Sequence, residues 1–334
     1  MIGTVGEPCL VDKEPDFAIK NIGLFKSKSE IDGKWLYHWL RSSQAQHIIR
    51  EQSRGTTQQY IPLGALRKLP VPLPDDRNEM QSVVSILSSL DDRITLLRET
   101  NSALEAIAQA IFKSWFVDFD PVKAKTEGRE PEGMDAETAA LFPSEFEESE
   151  LGLIPKGWRV GTLQDLLVLQ RGFDLPTSER VPGTFPIIAA SGPSGTHNLS
   201  MAKAPGVVTG RSGVFGRVFL ELYDYWPLNT TLWVKEFRGA TPCYAYELLR
   251  LLDFASFNAG SAVPTLNRNH VHNLKYLIPA SKCITAYEEI AIKMHQRVKA
   301  NQGQSEALAS LRDTLLPRLM SGQLRVPEAE RVGE

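Results

Sequence analysis

Two long stretches of the chain carry apolar residues at alternating spacings of four and three. The first seam has one polar member, Asn101, and consists of Val83, Leu87, Leu90, Ile94, Leu97, Asn101, Leu104, Ala108, Ile111 and Trp115. The second keeps the same phase and consists of Tyr287, Ala291, Met294, Val298, Asn301, Ser305, Leu308, Arg312, Leu315 and Leu319. Such heptad spacing is typical of coiled coils. We therefore predict two long helices, residues 77–117 and 281–325, that pair antiparallel along these seams. Alternatively, each helix packs on its own domain. Pro317 is expected to end or kink the second helix.

The first third of the chain aligns with the last third. Gly3-Thr4-Val5-Gly6 matches Gly213-Val214-Phe215-Gly216, and Tyr37–Arg41 matches Tyr246–Arg250. Further matches follow in the same order with few gaps. Residues 155–212 have no counterpart before Gly3, so the alignment predicts a duplicated protein that lacks the front of its first unit.

Charge divides the region between the two predicted helices. Residues 117–150 contain eleven acidic and three basic residues, a net charge of −8. Residues 151–280 contain twelve basic and eight acidic residues, a net charge of +4, and have short apolar runs between turns rich in glycine and proline. We predict an acidic connector with few ordered elements, followed by a mixed, strand-rich α/β domain. The chain is thus predicted to be α+β and to comprise an incomplete first domain (1–76), the first helix (77–117), the acidic connector (118–154), the second domain (155–280), the second helix (281–325) and a tail (326–334).

Composition excludes several classes of protein. Hydrophobic residues make up 42% of the chain, which excludes wholesale disorder. No apolar run approaches the roughly 18 residues of a membrane span, and no basic stretch leads into an apolar one at the N-terminus, so we expect neither a span nor a secretory signal. The three cysteines, at positions 9, 243 and 283, form neither a disulfide framework nor a zinc pattern. They fit a reducing cytoplasm.

Candidate catalytic motifs are weak. Ser191–Thr196 lacks the Gly-Lys-Ser/Thr ending of a phosphate loop, and no Gly-x-Gly-x-x-Gly follows a predicted strand. His270-x-His272 has no acid or cysteine at ligand spacing. The two aspartates and two lysines within Asp118–Lys125 resemble the carboxylate–lysine set of a metal nuclease, but they lie just past a helix end, where solvated charges explain them better. We therefore expect that the chain is not an enzyme by itself and holds no cofactor and no metal.

A nucleic-acid-binding surface is better supported. The segment Thr209–Arg217 carries Arg211, Ser212 and Arg217 on a glycine-rich backbone, which can approach a phosphate closely. Because arginine can bridge two acceptors on a guanine edge, we predict that Arg211 and Arg217 contact base edges or the minor groove. The other candidate DNA-binding residues are Arg171, Lys203, Thr230, Asn267 and Arg268. The cationic ones among them are predicted to contact phosphates. The alternative is that each is an ordinary surface residue.

Three segments are similar to one known family. They are Phe112–Lys125 (FKSWFVDFDPVKAK), Leu151–Trp158 (LGLIPKGW) and Leu315–Gly322 (LLPRLMSG). Together with the repeat, they resemble the specificity (S) subunits of type I restriction–modification systems over essentially the whole chain.

The resemblance implies two target-recognition domains at opposite ends of the helix pair, each of which reads one half of a split sequence in double-stranded DNA. The helices would set the spacing between the two halves of that sequence and would bind methyltransferase (M) subunits, which bind S-adenosylmethionine. A separate restriction (R) subunit would hydrolyse ATP and cut DNA. The S subunit has no catalytic residues. This chain departs from the family at its front, so residues 155–280 are expected to be the intact reader. The alternative from another class is a coiled-coil scaffold that no longer reads DNA.

Overall fold

A computed structural model describes the chain over residues 5–11, 22–55, 59–214, 216–253 and 266–326. Gly3, Thr4 and Phe215 of the repeat alignment lie outside these residues. The chain divides into two compact units. Unit 1 comprises Met1–Asn101 and Lys299–Glu334, and unit 2 comprises Ser102–Val298.

The described residues form ten α-helices and eleven strands. The helices are α1 (Glu30–Arg41), α2 (Ser43–Gln52), α3 (Leu63–Leu66), α4 (Arg77–Phe116), α5 (Asp120–Thr126), α6 (Ala136–Ala140), α7 (Leu163–Leu166), α8 (Pro242–Leu251), α9 (Arg268–His272) and α10 (Ser281–Met320). The strands are β1 (Phe146–Ser149), β2 (Gly152–Pro155), β3 (Arg159–Thr162), β4 (Leu167–Arg171), β5 (Phe185–Ala189), β6 (Gly192–His197), β7 (Gly206–Gly210), β8 (Val218–Glu221), β9 (Trp226–Pro227), β10 (Thr231–Phe237) and β11 (Lys275–Ile278). In the part of the chain that the structure describes, every helix is too short or too polar to cross a bilayer.

The two long helices have 40 residues each and bury the predicted seams. All ten seam positions of α4, and all ten of α10, are buried or half-buried. Within unit 1, Arg312 pairs with Asp91 at 2.6 Å, and Asn301 donates to Asn101 at 2.8 Å. The two helices therefore run antiparallel. The predicted α+β class with two long antiparallel helices is confirmed.

The second helix does not end at Pro317. It continues to Met320 because this proline lies in the last turn, where its missing N–H removes only one backbone hydrogen bond. Gly322 follows with a positive φ of 72°, a conformation that commonly ends helices and that glycine adopts without strain. The position of this glycine is therefore the better predictor of the helix end.

Unit 1 has a helical core around the first half of α4. Trp39 and Leu87 are 1% and 0% exposed and lie in one cluster with Leu316 and Leu319 of α10. Trp35 donates its indole N–H to the carbonyl of Pro72 at 2.8 Å, which fixes α1 against the segment that leads into α4.

The repeat is visible in matching contacts. In α1, the guanidinium of Arg41 lies 5.0 Å from the ring centroid of Tyr37. In α8, the guanidinium of Arg250 lies 5.1 Å from the ring centroid of Tyr246. The aligned residues thus form the same cation–π pair in each unit, which supports the duplication.

Unit 2 is built on an antiparallel four-stranded sheet in the order β4-β10-β7-β8. Helix α8 packs on β7 and β8, and a second sheet has the order β6-β5-β9. Helix α9 packs against β4. The core of unit 2 contains Phe112, Trp115 and Phe116 from the end of α4. These residues contact Tyr244 and Tyr287. The aromatic segment at the end of the first helix therefore anchors α4 in this unit.

The acidic connector has more structure than its composition predicts. It contains α5, α6 and the hairpin β1–β2. Trp115 packs against Phe142 with ring centroids 5.2 Å apart, and Phe119 packs against Trp158 at 5.8 Å. Lys125 donates to the carbonyl of Ala139 at 3.1 Å. Phe142 is thus part of the core of unit 2, and Phe119 and Phe146 pack against it, while most of the acidic residues of the connector are exposed.

Candidate nucleic-acid interface

Strand pairing in unit 2 brings distant basic residues to one end of the central sheet. Leu232 of β10 is paired with Arg171 at the end of β4 and, on its other side, with Thr209 of β7. Arg211 follows β7 directly, and its carbonyl accepts a hydrogen bond from Leu266 N–H at 2.8 Å. This bond brings the start of α9, with Arg268, to the same place.

These residues line a groove of about 340 Å³, which we call the arginine groove. Its lining residues are Arg171, Arg211, Leu232, Leu266, Asn267 and Arg268. Three guanidinium groups and one carboxamide thus converge over two apolar side chains. No carboxylate from the described residues lines the groove, so the electrostatic potential of the groove favours the binding of an anion.

The three guanidinium groups differ in their existing partners. Arg171 donates to the carbonyl of Asn229 at 3.3 Å and lies 3.9 Å from a carboxylate oxygen of Asp174, with half of its side chain exposed. The side chains of Arg211 and Arg268 form no hydrogen bond or ion pair with another described residue. Their charge is therefore available to a bound anion.

A second groove, of about 260 Å³, adjoins the first through Arg268, which lines both. We call it the amide groove. Its lining residues are Gln164, Val168, Leu169, Gln170, Lys235, Arg268, Asn269, His272 and Asn273. Four carboxamides and two cations line it, and again no carboxylate from the described residues does.

His272 connects the two elements that form the amide groove. Its Nε2 accepts a hydrogen bond from the backbone N–H of Leu169 at 2.8 Å and so ties α9 to β4. Burial, and then the nearby guanidinium groups of Arg268 and Arg238, lower the pKa of His272 below its usual 6.5. The ring is therefore a neutral acceptor near pH 7. No group of metal-ligating side chains occurs among the described residues.

Four of the predicted DNA-binding residues, Arg171, Arg211, Asn267 and Arg268, meet in the arginine groove. Thr230 and Ser212 lie beside it, since the carbonyl of Thr230 accepts hydrogen bonds from Arg211 N–H at 2.9 Å and from Ser212 N–H at 3.2 Å. The Thr230 hydroxyl also accepts one from Ala190 N–H at 3.3 Å, so this residue has a structural role as well.

Arg217 and Lys203 lie outside both grooves. Arg217 is exposed and donates to the carbonyl of Ser191 at 2.9 Å. Lys203 pairs with Asp224 at 2.6 Å. Their assignments to base and phosphate contacts stay predictions.

The amide groove is not predicted from the sequence, although one of its residues carries a signal. Gln170 follows Leu167 and Leu169, which are fully buried, so alternation along β4 would have placed it on the opposite face. Lys235 and Gln164 carry no such signal, because they reach the groove only through the pairing of β4 with β10 and the position of α7.

Two members of the carboxylate–lysine set within Asp118–Lys125 make other contacts. Asp118 pairs with Lys113, and Lys125 donates to backbone carbonyls of the connector. These contacts favour a structural role over the nuclease alternative.

Comparison with known proteins agrees with the resemblance. Residues 1–106 match the family model described as the type I restriction modification DNA specificity domain. The type I restriction enzyme MjaIX specificity subunit of Methanocaldococcus jannaschii is 23% identical over 325 residues, covering 90% of this chain and 71% of that protein. The type I restriction enzyme HindI specificity subunit of Haemophilus influenzae is 26% identical over 341 residues, covering 83% of this chain and 73% of that protein.

The fold also matches a solved structure. The crystal structure of the S subunit of a type I restriction–modification system from M. genitalium superposes with a TM-score of 0.60. It is 18% identical, and the match covers 87% of this chain and 73% of that one. At this identity the likeness is one of fold.

Proposed function

We propose that this chain, a member of the family of type I restriction–modification specificity subunits, is the DNA-recognition subunit of such a complex. The observation that carries the proposal is the arginine groove. Three guanidinium groups from β4, the end of β7 and α9 converge there without a lining carboxylate among the described residues. This is the arrangement expected of a surface that holds double-stranded DNA.

Recognition divides between two kinds of contact. Contacts from Arg171 and Arg268 to phosphates fix the register of the duplex without reading its sequence. The backbone of Arg211 is hydrogen-bonded to both Thr230 and Leu266, so the point from which its side chain extends is fixed. The guanidinium can therefore donate two hydrogen bonds to O6 and N7 of a guanine.

The partners follow from the family. The chain would bring M subunits to a split DNA site, and the R subunit would join through the same complex. The M and R subunits carry out methylation, ATP hydrolysis and cleavage, and the S subunit determines which DNA sequence the complex binds. We place the complex in the cytoplasm, with the DNA of the cell.

The test is selection of bound duplexes from a randomised pool by the chain in complex with its M subunit. The wild-type complex should enrich a defined sequence. Arg211→Ala should weaken binding to that sequence by about 1–3 kcal/mol and relax one position, since one bidentate contact is lost. Arg129→Ala is the control, because Arg129 is exposed, pairs with Glu127 and lies outside both grooves. If Arg211→Ala left affinity and sequence preference unchanged, the assignment would be wrong.

A further inference from the structure

The amide groove gathers carboxamides from three separate elements. Gln164 belongs to α7, Gln170 to β4, and Asn269 and Asn273 to α9 and its C-terminal cap. Such a concentration of one side-chain type in one groove is not required by the fold, because the core of unit 2 is formed by other residues.

These four carboxamides are not used inside the protein. None of them forms a side-chain hydrogen bond with another residue that the structure describes. The neighbouring Asn267 differs, since its Oδ1 accepts from Asn269 N–H at 3.0 Å and caps α9. The donors and acceptors of the groove are therefore free for a ligand.

The groove is also held in shape. The hydrogen bond from Leu169 N–H to His272 fixes α9 against β4, the elements that carry three of the four carboxamides. Their positions relative to one another are thus set before a ligand binds, which limits the entropy lost on binding.

The chemistry of a carboxamide matches one base. A carboxamide both donates and accepts, and adenine offers an acceptor at N7 and a donor at N6 along its major-groove edge. A guanidinium only donates and matches O6 and N7 of guanine. Lys235 and the shared Arg268 supply positive charge at the groove for the phosphates beside the base.

We propose that the amide groove makes the adenine-specific contacts of the DNA site, through the carboxamides of Gln164, Gln170, Asn269 and Asn273. This inference rests on the proposed function and adds a division of labour to it. The amide groove reads adenine, and the adjoining arginine groove reads guanine and holds the backbone.

Pool selection with variants of the assembled complex tests this. Gln170→Met and Asn273→Leu keep side-chain size and remove hydrogen bonding. Each should reduce discrimination for adenine at one position by roughly 5- to 150-fold. Affinity for random-sequence DNA and its salt dependence should not change, because no phosphate contact is removed. Asn198→Leu, at an exposed carboxamide outside both grooves, should select the wild-type sequence.

A gain of new specificity separates recognition from a folding defect. Gln170→Glu keeps the shape and the acceptors but loses the donor, so it should exchange adenine for cytosine, whose N4 amino group donates to a carboxylate. If all three groove variants bind DNA and select the wild-type sequence with unchanged discrimination, this inference is overturned while the proposed function stands. If the wild-type complex enriches no sequence, the proposed function fails, and this inference with it.

Discussion

At the scale of single residues, two buried histidines make the fold sensitive to acid. His38 in unit 1 and His295 in unit 2 each have one buried ring nitrogen without a hydrogen-bond partner among the described residues. Burial lowers the pKa of each to about 4. For His38, the carboxylate of Asp91 opposes this shift and the guanidinium of Arg41 adds to it. Both rings are therefore neutral in the folded chain at pH 7.

This predicts that stability falls on mild acidification. An unfolded histidine titrates near pH 6.5, so between pH 6.5 and about 4 the unfolded chain binds more protons than the folded one. The free energy of unfolding should be highest above pH 6.5 and fall through this window, on the order of 3 kcal/mol for each histidine. Urea unfolding of the full chain at a series of pH values measures this. His38→Gln and His295→Gln should each flatten the curve, and an unchanged slope in both would contradict the assignment.

At the scale of elements, the antiparallel helices meet at a polar pair. Asn301 is 1% exposed and donates to Asn101, which is 9% exposed, within an otherwise mostly apolar seam. A buried hydrogen-bonded pair at seam positions favours the register that lets both side chains meet, at some cost in stability. Asp91 adds to this, since it pairs with both Arg41 and Arg312 at 2.6 Å.

Replacing one asparagine of the pair should lower the stability of the fold more than replacing both. Asn101→Leu leaves the carboxamide of Asn301 buried without its partner and should lower the free energy of unfolding by about 1–3 kcal/mol. Asn101→Leu with Asn301→Leu restores an apolar seam and should recover most of that loss. Thermal and urea unfolding of the single and double variants measure this, with Gln109→Leu on the exposed face of α4 as the control. A double variant less stable than either single variant would contradict this account.

The elements differ in how well the sequence predicts them. The long helices are predicted because heptad spacing is a local signal, with ten seam positions in each helix. The ordered structure of the acidic connector is underestimated because its high charge outweighs a few aromatic residues in its composition. Among these, Phe142 packs on Trp115 at the end of α4, and Phe119 packs on Trp158. Composition averages over a segment, whereas a short helix needs only one or two buried side chains to hold it.

At the scale of the whole molecule, the candidate site is a product of long-range pairing. Arg171, Arg211 and Arg268 are predicted individually from residue type and loop context. Their convergence depends on β10 pairing with both β4 and β7 and on the bond from Leu266 to Arg211. No local pattern encodes these contacts, so the sequence predicts most of the residues of the arginine groove but not their convergence, and it gives little sign of the amide groove.

The two grooves of unit 2 together are proposed to form the surface that reads DNA. The most direct test is ultraviolet crosslinking of the complex, with its M subunit, to the DNA that it selects, followed by mass spectrometry of the crosslinked peptides. We predict crosslinks in residues 164–171, 210–212 and 266–273, the segments that contain most of the residues lining the grooves. Arg268→Ala should reduce those in both grooves, because this side chain lines each of them. Crosslinks in unit 2 that avoid all three segments, for example around Lys203 alone, would contradict the account.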